Sequence, residues 1–391
     1  MPFALTYVLD RPDPSETFIR REIDRLRCQE WFVEVCYIHG KVNPLRYIWG
    51  RCPRELRGRF LAAAFGRVLR ALPRSPRVAW RIFRHLPQAA DLVSKVIDGR
   101  SLLIHAHFAG ITADLAAVAS DTTGIPWSCS VHAQDIFTVS EEEIFRCLEA
   151  ANGVTACSRM AMQRVEEAGI PSSRIAMIHH GLHLTDFPFD TILPDGVFFT
   201  ACRLEEKKGV DLLIKACALL KERGSHFVCM IAGEGPMGDS LRKLSKRLGI
   251  EDVVRFIGWQ SQEETRSLLM DATILVLASK RTANGDCEGI SNIILEAMAL
   301  GTPILTTTAG AAPEIVEDSV NGWLVPPDDP LALADRMELA LEAKDQLLVM
   351  AKNARKTAER LFDDHRNIRE LGTFFQHIVD EVSDAPDGIE A

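Results

Sequence analysis

Two short motifs in the second half of the chain combine charged side chains with the expected start of a helix. The first runs from Arg203 through Lys208 to Gly209, between a strand-like run and a helical pattern. Two cations at the carboxyl end of a strand, beside a helix N-terminus, suit a polyanion such as a diphosphate. Taken alone, the motif is also explained by ordinary solvated loop charge.

The second motif holds two carboxylates eight positions apart, Glu288 and Glu296. Glu288 is predicted in a glycine-bearing loop, and Glu296 inside a helix that Asn292 is expected to cap and Gly301 to end. Glu296 stands between apolar residues, so its carboxylate needs a partner or a ligand hydroxyl. A third motif, Gly233-Glu-Gly-Pro236, is fully explained by a tight turn.

The scaffold for these motifs is an alternation of short β-rich runs with helical patterns. The strand-like runs are 4–9, 31–38, 101–108, 126–133, 153–158, 175–181, 197–203, 226–233, 253–258, 273–279, 303–308 and 323–326. Strands that alternate with helices predict parallel sheets covered on both faces. We therefore predict an α/β fold of two doubly wound, Rossmann-like domains facing a central cleft, with the ligand at the carboxyl ends of the strands.

The length of 391 residues makes two domains the default. Residues 186–196 contain two prolines, a glycine and three aspartates, which is typical of a linker. We predict an N-terminal domain at 1–185 and a second domain at 197–360. The segment 361–391 is expected to be a C-terminal helix that crosses back to the N-terminal domain.

The composition excludes several classes of protein. Apolar residues make up 47% and charged residues 25%, close to the average of soluble globular proteins. The sequence contains no run of roughly 18 apolar residues, so no membrane-spanning helix is predicted. The N-terminus does not resemble a secretion signal. The ten cysteines show no C-x-x-C spacing, so reduced, buried thiols in a cytoplasmic protein are expected.

The motifs, in their order and spacing, resemble the retaining glycosyltransferases of family 4, which have the two-domain GT-B fold. In the second half the resemblance is carried by RLEEKKGVDLLIKA, IAGEGP, VVRFIGW, EGISNIILEAMALGTPILTT and PEIVEDSVNGWLVPPDD. In the first half it is carried by SETFIRREIDRL, IHAHFA, SVHAQDIF and IHHGLHLTDF. These first-half motifs look most like the branch that builds exopolysaccharide and lipopolysaccharide chains.

The resemblance implies a role for each matching residue. Arg203 and Lys208 would hold the diphosphate of a nucleotide-sugar donor, and Glu296 would bind the ribose hydroxyls. Glu288 would contact the hydroxyls of the donor sugar, and His132 would lie near that sugar, so these two are the implied catalytic residues. Fixed cations stabilise the charge that develops on a departing nucleoside diphosphate more in the transition state than in the ground state.

Further positions follow from the same resemblance. Gly258, in the turn Ile257-Gly258-Trp259, would line the base pocket. Gly289 and Ile290 would bind the donor just before the helix whose N-terminus points at the phosphates. The loop Ser15-Glu16-Thr17 is expected near the donor phosphate or the acceptor. No cofactor and no metal are expected.

The implied activity is transfer of a hexose, with retention of configuration, to a growing, lipid-linked polysaccharide or lipopolysaccharide. The expected partners are the nucleotide-sugar donor, the glycan acceptor and the inner face of the cytoplasmic membrane, where the protein would be peripheral. A nucleotide-sugar epimerase of the same fold is one alternative. A non-catalytic membrane adaptor is another.

Residues 41–86 form a basic segment inside an acidic chain. The segment holds twelve Lys and Arg residues and one acidic residue, so its charge is +11 within a total of −9. From 58 to 72 one helical stripe is predicted to contain Phe60, Leu61, Ala64, Phe65, Val68 and Leu72. Beside it, the residues expected to face a membrane are Arg57, Arg59, Arg67 and Arg70.

The basic segment is also consistent with roles that involve no membrane. It could be a helical insertion that packs on its own domain, with its arginines solvated. An anionic acceptor or nucleic acid is the remaining alternative. The acidic whole chain argues against general nucleic-acid binding, so no nucleic-acid partner is expected.

The first half also contains two pairs of histidines. His105 and His107 are predicted to face opposite sides of a strand and therefore not to share a metal. His179 and His180 are predicted at a strand end. For all four residues, structural hydrogen bonding is favoured over catalysis.

Overall fold

The computed structural model describes residues 3–10, 17–38, 51–189 and 194–384. The chain divides into two compact units: residues 1–180 with 365–391, and residues 181–364. Each unit contains one six-stranded, all-parallel sheet with helices. The predicted α/β fold with two Rossmann-like domains is therefore confirmed.

The sheet of the first unit has the strand order β2-β1-β3-β4-β5-β6. Its strands are β1 (Ala4–Leu9), β2 (Phe32–Tyr37), β3 (Leu103–His107), β4 (Trp127–Val131), β5 (Gly153–Ala156) and β6 (Ile175–Met177). In the middle of this sheet every residue of β3, β4 and β5 is buried. Continuous burial is expected of parallel strands that have helices on both faces.

The described helices of the first unit up to residue 167 lie between consecutive strands, with three of them between β2 and β3 and two between β4 and β5. They are α1 (Thr17–Cys28), α2 (Arg57–Ala71), α3 (Pro76–Arg84), α4 (Leu86–Asp98), α5 (Ile111–Thr123), α6 (Ala133–Phe137), α7 (Glu141–Leu148) and α8 (Arg159–Glu167). The three helices between β2 and β3, α2 to α4, contain the basic segment from Arg57 onward. Residues 51–56 of the segment precede α2, and residues 41–50 lie outside the described residues.

The sheet of the second unit has the strand order β12-β11-β10-β7-β8-β9. Its strands are β7 (Val197–Ala201), β8 (Val228–Ala232), β9 (Val254–Gly258), β10 (Ile274–Leu277), β11 (Ile304–Thr307) and β12 (Trp323–Val325). The order reverses between β7 and β10. In doubly wound sheets, ligands bind outside the carboxyl ends of the strands at such a reversal.

The helices of the second unit complete its alternation. They are α9 (Val210–Glu222), α10 (Gly238–Arg247), α11 (Gln262–Met270), α12 (Asn292–Leu300), α13 (Pro330–Glu342) and α14 (Lys344–Leu361). Short 3-10 turns lie at Leu184–Asp186, Glu206–Lys208 and Ala312–Glu314, and the first unit has two more at Arg54–Leu56 and Ser172–Arg174.

The last helix, α15 (Asp364–Asp384), packs in the first unit. Its residues Leu371, Phe375 and Ile378 are buried in one cluster with Leu5 and Leu103 of the sheet. The last helix therefore completes the apolar core on one face of the first sheet.

The predicted linker at 186–196 is only partly described, because residues 190–193 lie outside the described residues. Among the helices that the structure does describe, none combines the length and the apolar character needed to cross a membrane.

Candidate functional site

The reversal point of the second sheet brings together the loops that follow β7 and β10. Lys208 lies in the first loop and Glu288 in the second, and their Nζ and Oε2 atoms are 2.5 Å apart. Their side chains are only 14% and 17% exposed. The two charges predicted from separate motifs therefore form one compact ion pair at the expected ligand position.

The electrostatics of this pair favour a charged lysine. Burial by itself would lower the pKa of Lys208, but Glu288, together with Cys202 and Glu205, more than compensates, so the pKa is raised. Lys208 consequently keeps its positive charge at neutral pH. A buried, permanently charged ammonium at strand ends can bind an anionic ligand without first taking up a proton.

Two further ion pairs tie the same loops together. Lys207 donates to Asp286 Oδ1 at 3.1 Å, and Lys280 donates to Asp211 Oδ1 at 3.2 Å. All four side chains are less than about a quarter exposed, from 12% to 21%. The loops after β7 and β10 are therefore braced against each other before any ligand arrives.

Two glycines allow the backbone to approach closely around the ion pair: Gly209 where the loop after β7 meets the loop after β10, and Gly310 where the loop after β11 meets the loop after β10. A Cβ at Gly209, whose φ is +61°, would lie 1.7 Å from the Ala278 carbonyl oxygen. A Cβ at Gly310, whose φ is +70°, would lie 2.1 Å from the Glu288 carbonyl oxygen. Only glycine fits at either position, so these two residues determine the backbone path around the ion pair.

The other predicted donor residues of the second unit also follow its strands. Arg203, just after β7, is largely exposed at 66%, with its Nε 3.8 Å from Glu205 Oε2. Gly289 and Ile290 lie between Glu288 and α12. All these residues lie at the carboxyl-end edge of the sheet, where the charged pair is found.

Glu296 lies inside α12 and is 7% exposed. Every residue of α12 from Ile293 to Leu300 is buried, so Glu296 lies in a buried and otherwise apolar stretch of helix, as the sequence indicates. The N-cap position is Ser291, so the expectation that Asn292 caps this helix is wrong. Gly301 ends it with φ +81°, as predicted.

Gly258 ends β9 with φ +73°, and its carbonyl accepts from the Gly233 N–H at 2.7 Å. The next residue, Trp259, is 63% exposed. A tryptophan ring exposed at a strand end offers a face on which a planar ring could stack.

His132 belongs to the first unit, where it follows β4 and is 8% exposed. Its backbone N–H donates to Asp135 Oδ1 at 2.8 Å, in a capping box that opens α6. Asp135 Oδ2 accepts from the Ala109 N–H at 2.5 Å, so one carboxylate joins the loops after β3 and β4. Burial, followed by the nearby His107 and His180, holds the pKa of His132 well below its usual range.

The expectation that His105 and His107 face opposite sides of β3 is wrong. Their ring centroids are 5.0 Å apart, because residues two positions apart on a strand point to the same face. His105 bonds Ser128 Oγ at 2.8 Å and Ser130 Oγ at 3.0 Å. Its role in the structure is therefore a satisfied core hydrogen bond.

A functional neighbour that sequence reasoning missed is Glu22 of α1. Its Oε1 lies 3.2 Å from His107 Nε2 and accepts the Tyr7 hydroxyl at 2.5 Å. The apolar residues of α1 that are buried, Ile19, Ile23 and Leu26, give no sign in the sequence that a carboxylate points into the domain as well. Of the predicted loop Ser15-Glu16-Thr17, Ser15 and Glu16 lie outside the described residues, and Thr17 is the first residue of α1.

The basic helix α2 has a buried face that differs from the predicted stripe. Phe60, Ala64, Arg67 and Ala71 are its buried residues. Arg67, expected to face a membrane, is 2% exposed and donates to Asp114 Oδ1 at 2.9 Å, so that prediction is wrong. Asp114, itself fully buried on α5, also accepts from Arg146, and a buried carboxylate requires such partners.

The opposite side of α2 and α3 exposes large apolar side chains. These are Leu61, Phe65, Leu69 and Leu72 on α2 and after its end, and Trp80 and Phe83 on α3, each between 36% and 61% exposed. Trp80 and Phe83 have ring centroids 5.6 Å apart.

The three remaining arginines predicted to face a membrane lie on α2. Arg59 and Arg70 are exposed, whereas Arg57 is half-buried and its Nε donates to the Cys52 carbonyl. Apolar rows beside exposed arginines are unusual on a water-facing helix.

Comparison with known families supports the resemblance noted in the sequence. Residues 16–186 match the family described as Glycosyltransferase Family 4, and residues 188–357 match Glycosyl transferases group 1. The chain is 28% identical to the putative colanic acid biosynthesis glycosyltransferase WcaL of Escherichia coli K12, over 95% of this chain and 98% of that one. It is 27% identical to the amylovoran biosynthesis glycosyltransferase AmsK of Erwinia amylovora, over 75% and 74% of the two chains.

Solved structures share the fold at low sequence identity. The Anabaena protein Alr3699/HepE in complex with UDP and glucose has a TM-score of 0.72 at 18% identity, covering 96% of this chain and all of that one. Sucrose-phosphate synthase from Thermosynechococcus elongatus has a TM-score of 0.75 at 18% identity, covering 97% and 100%. With both halves matched in order and the architecture shared, the chain belongs to the family 4 glycosyltransferases of the GT-B fold.

Proposed function

We propose that this protein transfers a hexose from a nucleotide-sugar donor to a growing, lipid-linked polysaccharide or lipopolysaccharide, with retention of configuration. The observation that carries the proposal is the Lys208–Glu288 pair at the reversal point of the second sheet. At that position the Lys208 ammonium would bind the diphosphate of such a donor, and the Glu288 carboxylate would bind its sugar hydroxyls.

The protein's own cations would stabilise the leaving group. Cleavage of the sugar–phosphate bond places negative charge on the nucleoside diphosphate, and Lys208 and Arg203 would hold that charge. The N-terminus of α12 adds a fixed positive dipole that needs no reorganisation during the reaction. On this basis we propose that transfer does not require a metal ion.

The carboxylates and His132 would position the donor. Glu288 would accept hydrogen bonds from the sugar hydroxyls, and Glu296 would accept them from the ribose. Gly258, Gly289 and Ile290 would line the same site, and His132 would lie beside the sugar. The Anabaena protein of the same fold is described as a complex with UDP and glucose, which supports a nucleotide-sugar donor without identifying the base or sugar used here.

The acceptor is proposed from the relatives and from the surface of the first unit. WcaL and AmsK are named for the biosynthesis of colanic acid and amylovoran, which favours a polysaccharide acceptor. The exposed apolar side chains of α2 and α3 have arginines nearby in the sequence, which favours peripheral binding to an anionic membrane. We propose that this membrane surface is the inner face of the cytoplasmic membrane.

The experiment is a transfer assay with purified protein, a panel of nucleotide sugars, and lipid extract as the acceptor. We expect release of nucleoside diphosphate from one donor, and incorporation of its sugar into the lipid fraction, only when the extract is present. Chelator should leave the rate unchanged. Conversion of a donor in the absence of extract would instead support an epimerase, and failure to bind any nucleotide would support a non-catalytic adaptor.

A further inference from the structure

Three side chains that can bind a metal ion lie together at one edge of the first sheet. His132 directly follows β4, Cys157 directly follows β5, and His180 comes three residues after the end of β6. These strands are neighbours in the order β4-β5-β6 and run parallel, so their carboxyl ends lie side by side. One ring nitrogen from each histidine and the Cys157 sulfur all lie within 4.8 Å of one another.

The spacing of these three atoms is close to that of a metal site. Two ligands of a tetrahedral Zn²⁺ ion, bound at about 2.0–2.3 Å, lie roughly 3.3–3.6 Å from each other. Any pair in the group would therefore have to approach by at most about 1.5 Å, less than about 1 Å for each atom. Side-chain rotations commonly supply movements of this kind when a ligand binds.

The chemistry of the group favours a zinc-like ion. Two imidazoles and a thiolate are ligands that Zn²⁺ prefers, and three protein ligands leave a fourth position for water. Mg²⁺ and Ca²⁺ prefer oxygen ligands and should not compete. Binding requires the thiolate form of Cys157, so the thiol proton passes to the solvent as the ion is bound.

The surroundings of the group suit a fixed site that solvent can reach. His132 is 8% exposed, and Cys157 and His180 are half-buried. Phe18 packs against both histidine rings, with centroids 5.0 Å from that of His132 and 4.2 Å from that of His180. His107 Nδ1 lies 3.2 Å from His132 Nε2, and metal-bound histidines usually have such a hydrogen-bonding neighbour.

A second group of ligand-type side chains in the described part of the first unit fits an ion less well. It contains Glu22, His105 and His107. Both ring nitrogens of His105 are already engaged, with Ser128 Oγ at 2.8 Å and Ser130 Oγ at 3.0 Å. A metal ion would have to break one of these buried hydrogen bonds.

We propose that His132, Cys157 and His180 form a binding site for Zn²⁺ through which the ion inhibits the enzyme. A bound ion would hold the His132 ring and add positive charge at the position proposed for the donor sugar. The ion is therefore an inhibitor and not a requirement for transfer. Only the inhibition rests on the proposed function, because the ligand group lies within the first unit.

The direct test uses Co²⁺ as a spectroscopic substitute for Zn²⁺ in the full-length protein, free of any affinity tag. We expect a thiolate-to-cobalt absorption band in the near ultraviolet that added Zn²⁺ removes. Cys157→Ser should abolish this band, whereas Cys28→Ser, which alters an exposed cysteine of α1, should keep it. A wild type that binds no Co²⁺, or a band that persists in Cys157→Ser, would overturn the proposal.

A second variant tests the histidine ligands without touching the thiol. His180→Gln should weaken Zn²⁺ binding by about 100-fold or more, since even the loss of an outer partner of a metal ligand costs 10–100-fold. Circular dichroism checks that each variant is folded. Unchanged Zn²⁺ affinity in His180→Gln would contradict the proposed ligand set.

The transfer assay tests the inhibition. Zn²⁺ should inhibit the wild type and Cys28→Ser, and excess chelator should restore their rates. Cys157→Ser should keep the basal rate but need about 100-fold more Zn²⁺ for half-inhibition. Equal inhibition of Cys157→Ser and the wild type would overturn the inhibitory role. Absence of transfer by the wild type would remove the proposed function, while the cobalt spectra would still decide the metal site.

Discussion

The Nζ atom of Lys208 lies 2.5 Å from Oε2 of Glu288, although eighty positions separate the two residues in the sequence. The loops after β7 and β10 bring them together. Gly209 leaves room for the backbones of these two loops to meet, and Gly310 leaves room for the loop after β11 beside Glu288. In the absence of a donor the two charges neutralise each other. A diphosphate would have to draw the ammonium towards itself, leaving the carboxylate for the sugar.

Removing either charge should therefore impair transfer. We expect Glu288→Gln and Lys208→Ala each to lower kcat/KM by about 100-fold or more, the usual scale for a group that stabilises developing charge. The measurement is steady-state release of nucleoside diphosphate. Lys215→Ala, which alters an exposed lysine paired with Asp211 on α9, serves as the control and should remain near wild type. Wild-type rates in both site variants would contradict the site assignment.

The glycine beneath Glu288 should be intolerant of a side chain. Gly310→Ala places a Cβ 2.1 Å from the Glu288 carbonyl oxygen at a positive φ, so the free energy of unfolding should fall by ~1–3 kcal/mol or more. Gly66→Ala is the matched comparison, since a Cβ at Gly66 in α2 meets nothing within 4 Å. That change should raise the free energy of unfolding by about 1 kcal/mol. Denaturant titration measures both values, and equal effects would contradict the close approach.

The buried ion network under α2 should be a sensitive part of the first unit. Asp114 accepts from Arg67 and Arg146, and all three side chains are at most 2% exposed. Asp114→Asn leaves two buried guanidinium groups without their shared anion and should cost about 3–5 kcal/mol of unfolding free energy. Asp195→Asn removes the partner of Lys344 in an exposed pair and should leave the denaturation midpoint unchanged. A midpoint unchanged in Asp114→Asn as well would show that the network is not needed.

Binding to anionic vesicles should depend on the exposed face of α2. We expect Arg57→Glu, Arg59→Glu and Arg70→Glu together to abolish flotation with phosphatidylglycerol vesicles, because each arginine near such a surface contributes about 1 kcal/mol. Arg67 is left intact because it is buried. Added salt should weaken the binding of the wild type.

A matched control for the vesicle experiment makes the same change in net charge elsewhere. Lys243→Glu, Lys246→Glu and Arg247→Glu together reverse three exposed cations of α10 in the second unit. This variant should float like the wild type. If the two triple variants lose flotation equally, the loss is explained by the change in net charge and not by the position of the arginines. If the α2 variant still binds like the wild type, α2 is not part of a membrane-binding surface.

Acidification should destabilise the folded protein. Burial lowers the pKa of His105 to about 3 and that of His132 well below its usual range. Below about pH 6.5 these two histidines therefore bind protons in the unfolded chain but stay neutral in the folded one. Stability from these groups is present above about pH 6.5 and is lost as the pH falls, by about 2 kcal/mol per histidine between pH 7 and 5.

One carboxyl group opposes this trend. Burial raises the pKa of Asp135 to about 7, so its contribution is present at low pH and is lost as the pH rises through 7. Two histidines outweigh it, and the unfolding midpoint should fall between pH 7 and 5. His105→Gln, which can still bond Ser128 and Ser130, should flatten the decline. A midpoint independent of pH in the wild type would be inconsistent with buried neutral histidines.

The sequence predicts the fold well because alternation and apolar runs depend on local physics. The strand predicted at 197–203 is observed at Val197–Ala201, and Gly301 ends its helix as expected. Charged residues in helices are harder to place. Arg67 lies among solvent-exposed arginines in the sequence, and only its distant partner Asp114 explains why it is buried.

The partners of the predicted site residues depend on tertiary contacts that a single sequence does not show. Nothing near Glu22 indicates that it meets His107, which is 85 positions away. The shared face of His105 and His107, in contrast, follows from the two-residue period of a strand and can be predicted from the sequence.

The central claim is that Lys208 and Glu288 form the donor site of a nucleotide-sugar enzyme, and a thermal-shift panel of nucleoside diphosphates and nucleotide sugars tests it most directly. A ligand at 100 times its Kd stabilises the folded state by about 2.7 kcal/mol. We predict that one nucleoside diphosphate and its sugar conjugate raise the Tm of the wild type and of Lys215→Ala but not that of Lys208→Ala. No shift with any of these ligands, or an equal shift in Lys208→Ala, would contradict the claim.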